Sequence, residues 1–404
     1  MDVCLRAKRA VIVAALIAAG CGSHPALGAG GRRAAAVVSP STSVSASRPS
    51  GKSYTPVYGP SRDQALGMSW LDAERGYLLV GRTCGAVHRR CAGVFATEDG
   101  GSSWKLIARP PADAGGAELS DCTANPCVSH ILFASPQVGY LYGAALLMTT
   151  DGGTTWTPTP GEMVNALVVS GTTAWRTAYT GVGCPGPCDV TIERAPLGSS
   201  AWSPVRTIGF SIDDQLIARD LEILAISYGN PAGGGSAAAT IYASADDGAT
   251  WTQHDDPCRT LPQPYVAVAA AADATGMVVD CYPRTGQGHN LLMSTAIASG
   301  LHFGRTHPVP VPNGSAIALD GATILVGSGA VSGNGTYTYL VMRSTNSGQS
   351  WTTVLHDREQ VAEDLPGTSG LAVPDPASAT YLGYPYTIWH SADAGQTWTA
   401  AGVP

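Results

Sequence analysis

The 404-residue sequence predicts an all-β protein built from repeated units, and three observations support this fold class. The composition is poor in charge and rich in turn-forming residues, with 13% charged residues, 49 glycines and 28 prolines. Such a composition disfavours long helices and suits short strands joined by turns. An eight-residue string recurs along the chain, and short apolar runs recur between its copies. The net charge of −7, without any run of basic residues, disfavours a nucleic-acid partner.

Residues 1–20 are predicted to be a signal peptide that directs export. Arg6, Lys8 and Arg9 precede an apolar run that ends at Ala19. A basic head, about ten apolar residues and small residues before a cleavage point are typical of secretory signals, and the run is too short to span a bilayer. The position of Cys21 after small residues resembles a bacterial lipoprotein signal, which implies lipid attachment at Cys21 and anchoring of the mature chain to the cell membrane. Ordinary secretion with cleavage near residues 26–28 is the alternative.

Residues 21–53 are rich in Ser, Ala, Gly and Pro. A segment of this composition cannot bury a core, so we predict a disordered tether. The tether leads into residues 54–404, which contain every copy of the recurrent string.

The recurrent string has the pattern [ST]-x-[DN]-x-G-x-[ST]-W and occurs five times. Its third, fifth and eighth positions are Asp99, Gly101 and Trp104; Asp151, Gly153 and Trp156; Asp246, Gly248 and Trp251; Asn346, Gly348 and Trp351; and Asp393, Gly395 and Trp398. An Asp or Asn side chain can accept hydrogen bonds from backbone N–H groups two or three residues later, and Gly supplies a positive φ. The Trp then re-enters the sheet as an apolar anchor. We therefore interpret each copy as a structural turn between two strands, and call it a corner.

The spacing of the corners predicts the number of repeats. Degenerate corners at residues 197–202 and 294–303 fill the two long gaps, so the units recur about every 49 residues along the chain. Each unit offers three short apolar runs and a fourth led by Trp, which is typical of a propeller blade. The sequence therefore predicts a seven-bladed β-propeller of four-stranded antiparallel blades over residues 54–404, closed so that no sheet edge is exposed. Six or eight blades are the alternatives. The ring closes either through residues 54–59 or with a last strand near residues 398–403.

The corners resemble Asp boxes, also called BNR repeats, over roughly residues 60–404. Proteins with Asp boxes include sialidases, sortilin-type receptors, xyloglucanases and the photosystem II assembly factor family. The layout is most similar to that last family, whose members are seven-bladed and exported or lumenal. The resemblance implies a propeller that binds or helps to assemble other proteins.

The cysteines predict disulfide bonds, because eight of them follow Cys21 and an even count is typical of exported domains. Proximity favours the pairs Cys84–Cys91, Cys122–Cys127, Cys184–Cys188 and Cys258–Cys281, although other pairings are open. On the predicted blades, all four pairs fall on the face opposite the corners. A zinc site is the alternative, but these spacings match no standard ligand set, and we predict neither a metal nor a cofactor.

The face with the predicted disulfides also carries the best candidates for a ligand site, because stiffened loops on a rigid scaffold often bind partners. These candidates are Arg82, His88, Arg89, Arg90, His254, Arg259, Arg284, His289 and Arg358. Any one of them taken alone is better explained as an ordinary solvated loop residue, and only the set together favours a ligand site.

Catalysis is not indicated by the sequence. Sialidase chemistry needs three arginines, an acid/base Asp and a Tyr–Glu pair, and the Arg-Ile-Pro string of sialidases does not occur in the first unit. The nearest string, Glu193 to Pro196, lies in the third unit. We therefore predict an exported, membrane-tethered lipoprotein without catalytic residues that binds envelope proteins. A sialidase-like exo-glycosidase and a glycan-binding propeller are the alternatives.

Overall fold

The computed structural model describes residues 63–84, 90–115, 127–159, 163–180, 189–210, 214–229, 238–260, 265–273, 276–283, 289–294, 301–304, 306–311, 316–331, 336–360, 370–383 and 387–403. The predicted signal peptide, Cys21 and the predicted tether lie outside these residues. Within the described part of the chain, no helix has the length and apolarity needed to cross a membrane. No group of three side chains suited to a metal ion occurs in the same residues.

The described residues fold almost entirely into antiparallel strands. The first nine strands are β1 Gln64–Trp70, β2 Gly76–Thr83, β3 Arg90–Thr97, β4 Lys105–Ala108, β5 Asp113–Ala114, β6 Cys127–Phe133, β7 Gly139–Gly143, β8 Leu146–Thr149 and β9 Thr157–Thr159. They form one sheet in the order β1-β2-β3-β5-β6-β7-β8-β9, with β4 also paired to β3. The strand β5 joins two groups of four strands, β1–β4 and β6–β9, into this single sheet.

The other twenty strands form five four-stranded sheets, and in each sheet the strands are ordered as they occur in the chain. The third group is β10 Val164–Ser170, β11 Thr173–Thr180, β12 Asp189–Pro196 and β13 Ser203–Phe210. The fourth is β14 Asp214–Arg219, β15 Glu222–Gly229, β16 Ala238–Ser244 and β17 Thr252–Asp255, followed by a short 3₁₀ helix, Pro257–Thr260. The fifth is β18 Tyr265–Asp273, β19 Gly276–Pro283, β20 His289–Ser294 and β21 Thr306–Val309. The last two are β22 Ala316–Asp320, β23 Thr323–Val331, β24 Thr336–Ser344 and β25 Thr352–Gln360, then β26 Gly370–Asp375, β27 Ser378–Gly383, β28 Thr387–Ser391 and β29 Thr399–Gly402.

The core lies between neighbouring groups of strands. Second strands such as β2 are apolar on both faces, because each of them is covered on both sides by a neighbouring group. Leu78 of β2 packs towards one neighbour and Leu79 towards the other, and both side chains are fully buried. Burying an aliphatic side chain of this size stabilises a fold by about 1.5–3 kcal/mol.

The groups are arranged in a closed cycle. The first strand of a group contacts its counterpart in the next in the pairs β1–β6, β10–β14, β14–β18, β18–β22 and β22–β26, while β7 contacts β10. The cycle closes where β1 contacts β26, and there Phe95 of the first group shares a cluster with Leu382 and Ile388 of the last. The last group ends with its own strand, β29, which pairs with β28. The alternative closure through residues 54–59 concerns residues outside the described part.

Each corner is held by a small set of side-chain hydrogen bonds. The Thr97 hydroxyl donates to the Asp99 carboxylate over 2.7 Å and accepts the Gly101 N–H over 2.9 Å. The same carboxylate accepts the Ser103 N–H over 2.8 Å and the Ser103 hydroxyl over 2.6 Å. The equivalent bonds recur at Asp151, Asp246, Asn346 and Asp393. The recurrent backbone donor therefore lies four residues after the Asp or Asn, one or two residues further than the sequence predicts.

The corner also docks onto the turn between the first two strands of its own group. The N–H of the fourth corner residue donates to a carbonyl of that turn, for example from Ala394 to the Ala377 carbonyl over 2.7 Å. The backbone at the fourth corner position is left-handed in all five copies. Two copies place Gly there, but Asp247, Ser347 and Ala394 have φ values of 55°, 56° and 57°. A side chain in this conformation is strained, so these three corners carry a local cost.

We expect Ala394→Gly to stabilise the protein by about 1 kcal/mol, because Gly adopts the left-handed conformation without a Cβ clash. Urea unfolding followed by tryptophan fluorescence measures this change. The matched control is Ala249→Gly, at a corner position without a positive φ. Ala249→Gly should lower the free energy of unfolding by about 0.5 kcal/mol, because Gly raises the conformational entropy of the unfolded chain without relieving strain in the folded one. A loss of stability in both variants would contradict the strain at position 394.

Two of the predicted disulfides are confirmed. Cys84 bonds to Cys91, with a Cα–Cα distance of 5.8 Å, and Cys258 bonds to Cys281, with 5.6 Å. Cys127 is also disulfide-bonded, and its predicted partner Cys122 lies outside the described residues. The pair Cys184–Cys188 lies outside them as well.

Removing the Cys258–Cys281 bond should destabilise the protein more than removing Cys84–Cys91. The two bonds close segments of 23 and 7 residues, and the longer segment loses more unfolded-state entropy. We expect a loss of about 3 kcal/mol for the double variant Cys258→Ala/Cys281→Ala and about 2 kcal/mol for Cys84→Ala/Cys91→Ala. Urea unfolding without reductant measures both, and an equal or larger loss in the second variant would refute the ranking.

Candidate functional site

The strands of each group run between two edges, which differ in what they carry. The corner edge holds the corners and the turns between first and second strands. The hairpin edge holds the hairpins between second and third strands and the links from one group to the next. Cys84 and Cys91 lie at the hairpin edge, where β2 and β3 are joined, at the opposite end of these strands from Asp99. Cys258 lies in the link after β17 and Cys281 near the hairpin end of β19, so both described bridges lie at this edge.

The predicted ligand residues are spread along the hairpin edge over several groups of strands. Arg82 and Arg90 flank the Cys84–Cys91 bond, and Arg259 follows Cys258 in the 3₁₀ helix. Arg358 and His289 occupy the hairpin ends of β25 and β20, and His254 lies within β17. His88, Arg89 and Arg284 lie outside the described residues. The structure therefore does not bring the described candidates together into one cluster.

Arg82 is engaged within the fold. Its Nε atom lies 2.6 Å from the Asp63 carboxylate, and its guanidinium lies 5.7 Å from the centre of the Phe95 ring. Burial raises the pKa of Asp63, and the adjacent Arg82 opposes that rise. Arg82 therefore positions the start of β1, whereas Arg90 of β3 has no ion pair within the described residues.

The strand β5 was not predicted, and it makes the hairpin edge continuous between the first two groups. Asp113 pairs with Cys91 on one side and with Cys127 on the other. The flanking residues are fixed as well: the Ala92 N–H donates to the Ala112 carbonyl over 3.2 Å, and the Gly115 N–H donates to the Val128 carbonyl over 3.0 Å. We call the part of the hairpin edge that contains Cys84, Arg90, Cys91, Asp113 and the buried Cys127 the bridged edge.

A second fixed point surrounds Cys258. The buried Asp256 carboxylate accepts the Cys258 N–H over 2.8 Å and the Ala239 N–H over 3.3 Å. Burial raises the pKa of Asp256, and these two hydrogen bonds oppose the rise. The Arg259 N–H donates to the Asp256 carbonyl over 3.1 Å, so the exposed Arg259 side chain projects from a rigid helix.

Sequence reasoning missed one polar cluster, on β6 and β7. The rings of His130 and Tyr142 are stacked, with centroids 4.8 Å apart and planes 14° apart, and the Ser129 hydroxyl lies 2.7 Å from Nδ1 of His130. Burial lowers the pKa of His130 to about 4 and raises that of Tyr142 to about 12, so both rings are neutral near pH 7. Ser129 is the extra residue of a β-bulge, a feature that redirects side chains near functional sites. The signal in the sequence is weak, because His130 and Tyr142 become neighbours only through the register of the two strands.

The first strands of the groups carry few cations. Among the described first strands, arginine occurs at Arg219 of β14. Its guanidinium bonds to the Glu222 carboxylate and donates to the Asp273 carbonyl over 2.9 Å. Arg219 thus joins the fourth group to the fifth at the corner edge.

No protein-family model and no curated protein sequence matches this chain significantly. Several solved structures match it. A structure of YCF48 bound to a D1 peptide is 17% identical, covers 82% of this chain and 94% of its own, and has a TM-score of 0.51. YCF48 from Cyanidioschyzon merolae is also 17% identical, with 84% and 96% covered and a TM-score of 0.45. An α-L-arabinofuranosidase from Fusarium graminearum is 12% identical, with 84% and 92% covered and a TM-score of 0.44.

At such low identity these likenesses concern the fold alone. The TM-score of the first structure indicates the same overall fold. The match covers nearly all of the YCF48 chain. Together with the closed cycle of four-stranded groups, it shows that this chain has a β-propeller fold.

Proposed function

We propose that this chain is an exported, lipid-anchored, non-catalytic β-propeller that binds or helps to assemble proteins of the cell envelope through its hairpin edge. The observation that carries the proposal is the bridged edge. There, β5, a disulfide and backbone hydrogen bonds fix a surface that crosses two groups of strands.

The proposal includes seven blades with Asp-box corners. Seven sets of four consecutive strands follow one another along the described chain once β5 is counted as a connector. The contacts between first strands and the closure of β1 on β26 support one ring. The recurrent hydrogen bonds of the five corners support the Asp-box assignment.

Binding is assigned to the hairpin edge because the corner carboxylates are engaged in holding the fold. The corner carboxylates accept hydrogen bonds from their own turns, which lower the pKa of Asp99 and Asp151 to about 2. At the hairpin edge, Arg259 and Arg358 are exposed. A rigid surface loses little entropy when a partner binds, which favours affinity. The YCF48 structure, which is similar in fold, holds a peptide, and this supports a protein ligand here too.

The proposed location is outside the cytoplasm, at the membrane. Disulfides persist in oxidising compartments, and two described pairs are bonded. The basic and apolar start of the sequence, followed by Cys21, supports export and lipid attachment.

Crosslinking in intact cells of the native host tests this function. The full chain is compared with Cys21→Ala and with the double charge reversal Arg90→Glu/Arg259→Glu, and crosslinked partners are quantified by mass spectrometry. We expect Cys21→Ala to leave the membrane fraction and lose its partners. The double reversal should lower crosslinking about fivefold or more, because Arg259 is exposed, Arg90 is half-buried, and an exposed charge contributes up to about 1 kcal/mol.

The control is Lys105→Glu, a single charge reversal of an exposed cation beside a corner. It should leave crosslinking unchanged. Equal losses for the control and the hairpin-edge variant would refute the assignment to the hairpin edge. Turnover of a fluorogenic sialoside or arabinofuranoside by the purified chain would refute a non-catalytic role.

A further inference from the structure

The stacked pair of His130 and Tyr142 has unused hydrogen-bonding capacity. Among the described residues, neither Nε2 of His130 nor Oη of Tyr142 has a hydrogen-bond partner. Both residues are partly exposed, so solvent can reach these two atoms. The polar atoms of these two stacked rings are therefore open to a ligand or to water.

The surroundings of the pair are apolar and pre-formed. Tyr142 packs against a cluster between the second and third groups that contains Leu146, Val164 and Leu167. The Ser129 hydroxyl holds Nδ1 of His130 and so fixes the ring. The first strand of the third group has its own bulge at Asn165, which places a polar residue beside Val164.

The pair is also uncharged across the physiological range. With pKa values near 4 and 12, neither ring titrates between pH 5.5 and 8. A charged ligand would be desolvated here without a counter-charge, which is unfavourable. An uncharged ligand with hydroxyl groups does not have this cost of desolvating a charge.

From this geometry we infer that the His130–Tyr142 pair, between the second and third groups of strands, is a binding site for one unit of a neutral sugar. A sugar hydroxyl both donates and accepts a hydrogen bond, so it satisfies Oη of Tyr142 and either tautomer of His130. The C–H faces of a pyranose or furanose ring suit the aromatic and aliphatic neighbours. The inference is independent of the proposed protein binding, because it concerns other residues and another ligand.

The test is a titration of the full chain with neutral methyl pentosides and hexosides, followed by the NMR signal of the His130 ring. Each neutral sugar is paired with its uronate and its amino sugar, which differ from it in charge. We expect at least one neutral glycoside to shift the His130 signal, with its charged counterparts binding at least tenfold more weakly.

Two variants keep the stacking while removing one polar tip each, Tyr142→Phe and His130→Phe. Each should weaken binding about tenfold, since a hydrogen bond contributes about 1–1.5 kcal/mol. For His130→Phe, calorimetry replaces the lost NMR signal. The matched control is Tyr77→Phe, which removes a phenol hydroxyl from the ring stacked on Phe133 in the neighbouring interface. It should leave the affinity unchanged.

The pH dependence adds a second readout. Binding should be constant from pH 8 to pH 5.5, because His130 gains its proton only near pH 4. A loss of affinity around the ordinary histidine pKa of about 6.5 would overturn the neutral site. The inference is equally refuted if no neutral glycoside binds, if an uncharged capped peptide binds in their place, or if Tyr77→Phe loses as much affinity as Tyr142→Phe.

Discussion

The fold depends on corners in which side-chain oxygens satisfy backbone N–H groups that no neighbouring strand can reach. One hydroxyl and one carboxylate, as in Thr97 and Asp99, serve the donors of a turn, and the Asn346 amide oxygen replaces the carboxylate in one copy. The corner can then bend sharply enough to dock on the first turn of its own group. The same corners tie neighbouring groups together, because arginines of one group donate to carbonyls of the next. Arg194 donates to the Asp247 carbonyl over 2.6 Å, and Arg343 donates to the Ala394 carbonyl over 2.8 Å. A corner therefore fixes both the curvature of one group and the angle to its neighbour.

This use of polar groups separates the two edges by role. At the corner edge, carboxylates and guanidinium groups are engaged in turns and in joints between groups. At the hairpin edge, the backbone is fixed instead by disulfides and by β5, so side chains such as Arg259 stay available. A propeller with this division can vary its hairpin edge without disturbing the contacts that hold its ring. This separation is the physical basis for assigning binding to one edge and stability to the other.

The features that the sequence predicts are those formed by residues close together in the chain. The side-chain hydrogen bonds that build a corner join residues within its own eight positions, and Cys84 and Cys91 face each other across one hairpin. The strand β5 could not be predicted, because two residues carry no periodicity and their partners, Cys91 and Cys127, belong to different units. The stacking of His130 on Tyr142 depends on the register of two strands and on a bulge at Ser129. The spread of the predicted cations over several groups likewise depends on three-dimensional placement.

The corners act within a group or between groups that follow one another in the chain, so they do not close the cycle between the last group and the first. The described last group uses its own four strands, β26–β29, so no described strand of the first group completes its sheet. Closure among the described residues therefore rests on side chains: Leu78 and Phe95 against Leu382 and Ile388, and the Trp70 ring stacked on His390 with centroids 6.2 Å apart. These contacts join the two ends of a long chain, so their loop-closure entropy is the largest in the molecule. The groups can each form from local contacts, so we expect this seam to form last and to open first. Because β1 begins at the hairpin edge of this same seam, a partner that binds there and contacts both ends of the chain would stabilise the whole ring.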